Sequence, residues 1–150
     1  MSPAVVLSPP AVAELRRLAV AAYPDEGCGV LVGATGATLQ VTAVTCGSNL
    51  AARARDRFEL DPLDILHAER QARRAGLDVV GFWHSHPDHP AEPSGLDTER
   101  AWPDYLYVIV STSARGTGDL RGWILSPDGD GFREVRMGEV APAPPVRADG

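Results

Sequence analysis

The chain has 150 residues and a formal net charge of −6. That length suits about one domain, which buries roughly two-thirds of its unfolded surface, and the acidic balance argues against nonspecific nucleic-acid binding. Two cysteines, Cys28 and Cys46, are too few for a disulfide scaffold. No apolar run approaches the ~20 residues of a membrane span, and residues 1–7 lack the basic start and apolar core of a signal peptide. A cytoplasmic protein is expected. Arg53, Arg55 and Arg57 stand near Asp56 and Glu59 and read as a solvated loop, not a nucleic-acid patch.

In chain order, residues 4–7 read as a short strand. Ser8 then caps a helix that tolerates Pro9 and Pro10 in its first turn. Val12, Leu15, Ala19 and Ala22 give that helix one apolar face, and Tyr23-Pro24 ends it. Residues 29–33 and 39–45 read as strands, with residues 57–60 as a further candidate. Asp61-Pro62 starts a second helix, carried by Ile65, Ala68, Ala72 and Ala75 and stopped at Gly76. Residues 78–83 are a strand running into two histidines. Ser94 opens a third helix to about residue 101, and residues 105–111 are a buried strand. Residues 120–125 and 131–135 form a closing hairpin around Pro127-Asp128-Gly129. Residues 141–150, rich in Pro and Ala, read as a disordered tail. Strands mixed with two or three helices predict a sheet with helices packed on it.

The chemistry concentrates in His84-Ser85-His86-Pro87 and Ser94-Gly95-Leu96-Asp97. Strand side chains two apart share a face, so His84 and His86 can grip one ion while Ser85 points the other way. Asp97 follows His86 by eleven positions, across a segment stiffened by Pro87, Pro90 and Pro93. It falls in the first turn of the third helix, where Ser94-x-x-Asp97 is also a capping box. Zinc in hydrolytic sites takes three protein ligands and leaves a position for water. A carboxylate must then accept the water's proton. The candidates are Glu26, Glu59, Glu92 and Glu99. Glu26 precedes an apolar strand among glycines that permit close approach of backbone or substrate. His67 reads as a helix-surface residue and His89 as a loop residue. Cys28 and Cys46 read as small buried residues, and Trp83 and Trp102 as core packing.

Glu26-Gly27-Cys28-Gly29-Val30-Leu31-Val32-Gly33, taken with the His84–Pro87 and Pro93–Asp97 motifs, resembles the JAMM (MPN+, Mov34/PAD-1) metalloprotease family. The likeness spans roughly residues 5–136, so a domain over residues 1–140 is expected. It implies an α/β, cytidine-deaminase-like fold: a central mixed β-sheet flanked by helices. It implies one Zn²⁺ held by His84, His86 and Asp97, with Glu26 as acid/base and Ser94 stabilising the oxyanion. Relatives that cleave ubiquitin chains carry insertions for which this chain has little room. It is more similar to bacterial members acting on small ubiquitin-like sulfur-carrier proteins. The implied reaction is hydrolysis after a Gly-Gly end, or release of cysteine from a carrier C-terminus. A noncatalytic module binding a ubiquitin-like partner is a rival of another class. A zinc deaminase would need His-x-Glu with Cys-x-x-Cys, but here the second motif position is His86 and no Cys-x-x-Cys exists. Two histidines and a carboxylate also describe a non-haem iron oxygenase, which bound-metal analysis separates.

Overall fold

The computed structural model describes residues 4–51, 57–128 and 131–138; the expected 141–150 tail and the arginines at 53 and 55 lie outside them. Seven strands form one mixed sheet: β1 (Ala4–Leu7), β2 (Cys28–Ala34), β3 (Thr38–Val44), β4 (Asp78–Pro87), β5 (Leu106–Ser113), β6 (Gly116–Leu125) and β7 (Phe132–Val135). Their order is β1-β3-β2-β4-β5-β6-β7. β1 pairs with β3, and β4 with β5, in parallel; the other neighbours are antiparallel. The sheet curls until its two edges meet, where Met137 bridges Val5 and the Gly138 N–H donates to the Val5 carbonyl at 2.5 Å. The α/β architecture with a central mixed sheet is as the motifs implied.

Among the described residues there are three helices: α1 (Pro9–Ala22), α2 (Pro62–Arg74) and α3 (Gly95–Arg100). Each starts where its cap residue places it. The Ser8 and Asp61 side chains accept from the N–H groups of Ala11 and Leu63, donors that no helical carbonyl can satisfy. On one face of the sheet α1 buries Ala11, Val12, Leu15 and Ala19 against Val5, Leu31, Val41, Trp83 and Val108. On the other, Ala68 and Ala72 of α2 meet Val30, Val32, Phe82 and Tyr107.

One irregularity in the β2–β4 ladder sets the site's orientation. The register passes from Leu31↔Gly81 to Val32↔Val79 and skips Val80, as a β-bulge does. Val80 and Trp83 therefore face the α1 core while Phe82 faces α2. Counting on by two from Phe82, His84 and His86 fall on the α2 side, and Ser85 falls with Trp83 on the other.

Two sequence expectations change. Residues 57–60 are not a strand: among them only Leu60 bridges, to Asn49, because Phe58 turns in to stack on the His84 ring. β4 runs through the histidines to Pro87 instead of stopping at Trp83, since β5 pairs beside it as far as Thr112.

Candidate metal centre

The centre lies where the start of β2 meets the end of β4, with Cys28 opposite His84. Ser85 forms the junction. Its N–H donates to the Gly27 carbonyl at 3.0 Å, and its hydroxyl accepts from the Gly27 N–H at 2.7 Å. This double clamp sets Glu26, one residue earlier, against the histidine face. Gly29 permits the approach: a Cβ there would run into the Thr45 carbonyl oxygen and the Trp83 indole nitrogen. Asn49 holds the far side, donating to the Glu26 carbonyl at 2.9 Å and the Arg57 carbonyl at 3.1 Å, while its Oδ1 accepts from the N–H groups of Ala51 and Glu59.

α3 delivers Asp97. The Ser94 hydroxyl accepts from the Asp97 N–H at 3.0 Å, and Asp97 Oδ2 accepts from the Ser94 N–H at 2.9 Å. Both bonds of the capping box are thus made, and they fix the carboxylate over the histidines. Asp97 Oδ2 stands 3.2 Å from His84 Nε2 and 3.1 Å from His86 Nε2, and the two Nε2 atoms are 3.2 Å apart. Ligands of a tetrahedral ion with bonds of ~2.0–2.1 Å are separated by about 3.3 Å. The donor triangle therefore has the size that such an ion requires. Ligand atoms of Glu26, His84 and His86, all three buried, also lie within 4.8 Å of one another. A metal could be held by the histidines with either carboxylate, but only Asp97 closes the tighter triangle.

The electrostatics of the centre are dominated by the Asp97 carboxylate between the two rings. Burial pulls the His84 ring toward its neutral form, although Asp97 opposes this. Burial also works on His86, but hydrogen bonds to Asp97 and to the Pro90 carbonyl outweigh it and raise its pKa. Burial disfavours ionised Asp97, yet the two imidazoles and the Ser94 N–H hold its carboxyl well below the usual range. Asp97 is therefore an anion across the neutral range, poised to share its charge with whatever the two rings bind.

The histidine rings are fixed by different means. His86 Nδ1 donates to the Pro90 carbonyl at 2.8 Å, which leaves Nε2 to face the centre. His84 Nδ1 is buried without a hydrogen-bond partner; Phe58 stacks on that ring instead, centroid to centroid at 4.4 Å and 25° from parallel.

A cavity opens on each side of the centre. One is apolar, of about 170 Å³, and its walls include Phe58, Leu60, Ile65, Phe82 and Trp102. The other, of about 310 Å³, is lined by Glu26, His86, His89, Glu92, Ser94 and prolines. Ser94 borders both. Four of the five site residues expected from the sequence thus share the histidine face, and Ser94 stands at its rim. Glu92 lines the polar cavity but pairs with Arg121. His67 lies on the surface of α2 beside Gln71, as expected. Trp83 and Cys28 are buried as expected. Trp102 and Cys46 are corrected. Trp102 is 53% exposed at the apolar cavity, because the Ala101-Trp102 segment follows a helix of six residues with no buried side chain. Cys46 is exposed in the segment after β3. Sequence reasoning missed Asn49 and Phe58. An aromatic residue within an arginine-rich loop was the only signal for Phe58, and Asn49 offered none.

The model for prokaryotic homologues of the JAB domain matches residues 8–125. A desampylase of Haloferax volcanii is 44% identical over 115 residues, which is 76% of this chain and 78% of that protein. A probable TtuB-protein conjugate cleaving protease of Thermus thermophilus is 33% identical over 106 residues, 71% of this chain and 65% of that one. The solution structure of a Desulfitobacterium hafniense protein superposes with a TM-score of 0.79 at 28% identity, covering 93% of this chain and 95% of the other. The chain belongs to the prokaryotic homologues of the JAB domain and is a peptidase of that family.

Proposed function

We propose that this protein is a zinc-dependent isopeptidase that hydrolyses the bond after the Gly-Gly end of a small ubiquitin-like protein. His84, His86 and Asp97 hold the zinc in this reading, and Glu26 is the acid/base. The observation that carries it is the donor triangle of 3.1–3.2 Å edges with a second, buried carboxylate within 4.8 Å of the histidine donors. Relatives whose names describe cleavage of protein conjugates support the substrate class.

When bound, zinc polarises the scissile carbonyl and lowers the pKa of a coordinated water toward neutrality. Glu26 takes the proton from the attacking water and passes it to the leaving nitrogen. A group that protonates the leaving amine must lie on the amine's side of the bond. The polar cavity that contains Glu26 is therefore assigned to the amine, and the apolar cavity under Phe58 and Trp102 to the carrier tail. Ser94 borders both cavities, where its hydroxyl can donate to the developing oxyanion. Its lone-pair bond from the Asp97 N–H leaves the hydroxyl proton for that use. Removal of one such donor typically costs ~10²–10³ in rate. A Gly-Gly tail has no side chains to clash in the passage between the cavities, and its backbone can pair with the protein as an added strand does.

The test is cleavage by the zinc-loaded chain of a ubiquitin-like carrier joined through its terminal glycine to a lysine side chain, followed by mass. Release that stops with a chelator and with Glu26→Gln, while this variant keeps its zinc and carrier affinity, is expected. An undiminished Glu26→Gln enzyme would move the base elsewhere. A wild type that binds the carrier without cleaving it would make the protein a binding module. Loss of cysteine alone from a carrier C-terminus would identify the cysteine-releasing activity.

A further inference from the structure

β6 is two strands away from the metal strand, yet two of its side chains reach back to the segment between His86 and Ser94. The Trp123 indole N–H donates to the Ala91 carbonyl at 3.1 Å. Arg121 Nη1 pairs with Glu92 Oε1 at 3.2 Å, and its Nε and Nη2 hold both oxygens of Glu134 at 2.8 and 2.7 Å. The guanidinium lies over the Trp123 ring, 4.9 Å from its centroid, so the two residues brace one another. The Ala91 side chain is driven in to 1% exposure. The residue just before this doubly held pair is Pro90, whose carbonyl accepts from His86 Nδ1 at 2.8 Å.

We infer that Trp123 and Arg121 are positioning residues for the metal ligand His86. They act through the Pro90 carbonyl and rest on the reading of His86 as a zinc ligand. A neutral imidazole carries one N–H, and the carbonyl decides which nitrogen keeps it. With Nδ1–H committed to Pro90, Nε2 presents its lone pair to the centre. Residues 88–93 belong to no helix or strand, and prolines at 90 and 93 remove two backbone donors that could have tied them down. The Asp88 N–H is tied to the Thr112 carbonyl at 2.7 Å and the His89 N–H reaches the His86 carbonyl at 3.5 Å; the β6 pair anchors Ala91 and Glu92 beyond them. His84 has no such arrangement: its Nδ1 meets no acceptor and Phe58 packs on its ring. Damage to the β6 anchors therefore falls on one ligand of the three.

The test compares zinc affinity of the full chain, by competition with a chelating dye and without substrate, in wild type, Trp123→Phe, Arg121→Gln and Arg133→Gln. Phenylalanine keeps a smaller aromatic ring against the core and removes the indole N–H. Arg121→Gln changes a surface residue and serves if Trp123→Phe does not fold. Outer-shell partners of metal ligands are worth roughly 10–100-fold in affinity, so a weakening of about tenfold is expected for Trp123→Phe, less for Arg121→Gln and none for Arg133→Gln. Nitrogen-15 spectra of the metal-free proteins give a second readout. The His86 Nδ1–H signal is protected from exchange in wild type and loses that protection in Trp123→Phe. Unchanged affinity and an unchanged His86 signal in both β6 variants would overturn the inference. A wild type that binds no zinc would instead overturn the reading on which it rests.

Discussion

The corner where β2 meets β4 differs in kind from the rest of the same sheet. On the α1 side, Val5, Leu15, Leu31, Val41 and Val108 are sealed from water in one apolar cluster. At the corner, Glu26, His84, Ser85, His86 and Thr112 are just as buried but polar. An apolar interior is ordered by the area that it removes from water, whereas a buried polar cluster is ordered by its hydrogen bonds and is costly where they are incomplete. His84 Nδ1 and Thr112 Oγ1 are two such incomplete groups. The body is ordered by apolar burial and the corner by hydrogen bonds, not all of which are made.

Variants at the corner should lose function and little stability; variants in the body should do the reverse. The largest effect is expected for Glu26→Gln. General acid–base catalysis is typically worth ~10²–10⁴, so turnover should fall by on the order of 10³ with melting temperature and zinc content unchanged. Ser94→Ala should lower kcat by ~10²–10³ and retain zinc, because the Ser94 backbone N–H still holds Asp97 Oδ2. A rise in KM alone for this variant would show that Ser94 acts in binding. Leu31→Ala, in the body, should cost ~2–5 kcal/mol in denaturant unfolding while the folded fraction keeps its zinc.

Smaller effects sharpen the same contrast. Burial pushes the Cys28 thiol up to about 12, so it stays protonated at neutral pH and sheltered beside β4. Iodoacetamide should modify Cys46 alone in the native protein and both cysteines in denaturant, by mass. The smallest effect lies at the surface. Arg121 lowers the Glu134 pKa through their hydrogen bonds. A carboxylate lowered on folding contributes stability above its unfolded pKa and loses it as pH falls through the folded value. Glu134→Gln should thus have its full effect above about pH 4.5 and progressively less as pH falls below it, a cost of at most a few tenths of a kcal/mol for so exposed a pair.

The local half of the site was legible in the sequence. Strand periodicity placed His84 and His86 on one face, and Ser94-x-x-Asp97 placed the carboxylate in a helical first turn, because both patterns are set within a few residues. Glu26 was one of four candidate acids until the family likeness chose it. What singles it out is the Cys28↔His84 register, a pairing across fifty-six positions that no local pattern encodes. The skipped Val80, the turn of Phe58 onto His84 and the reach of Trp123 to Ala91 are long-range packing choices of the same kind. Trp102 misled because hydrophobicity predicts burial only where an element exists to cover the ring, and α3 ends just before it.

The central claim is that Asp97, and not Glu26, completes the metal's protein ligands. Diffraction from zinc-loaded crystals, with the ion located by anomalous scattering at the zinc edge, tests it most directly. Bonds of ~2.0–2.2 Å to His84 Nε2, His86 Nε2 and the Asp97 carboxylate are expected, with Glu26 near but unbonded. Zinc bonded to Glu26, with Asp97 left to its hydrogen bonds, would contradict it.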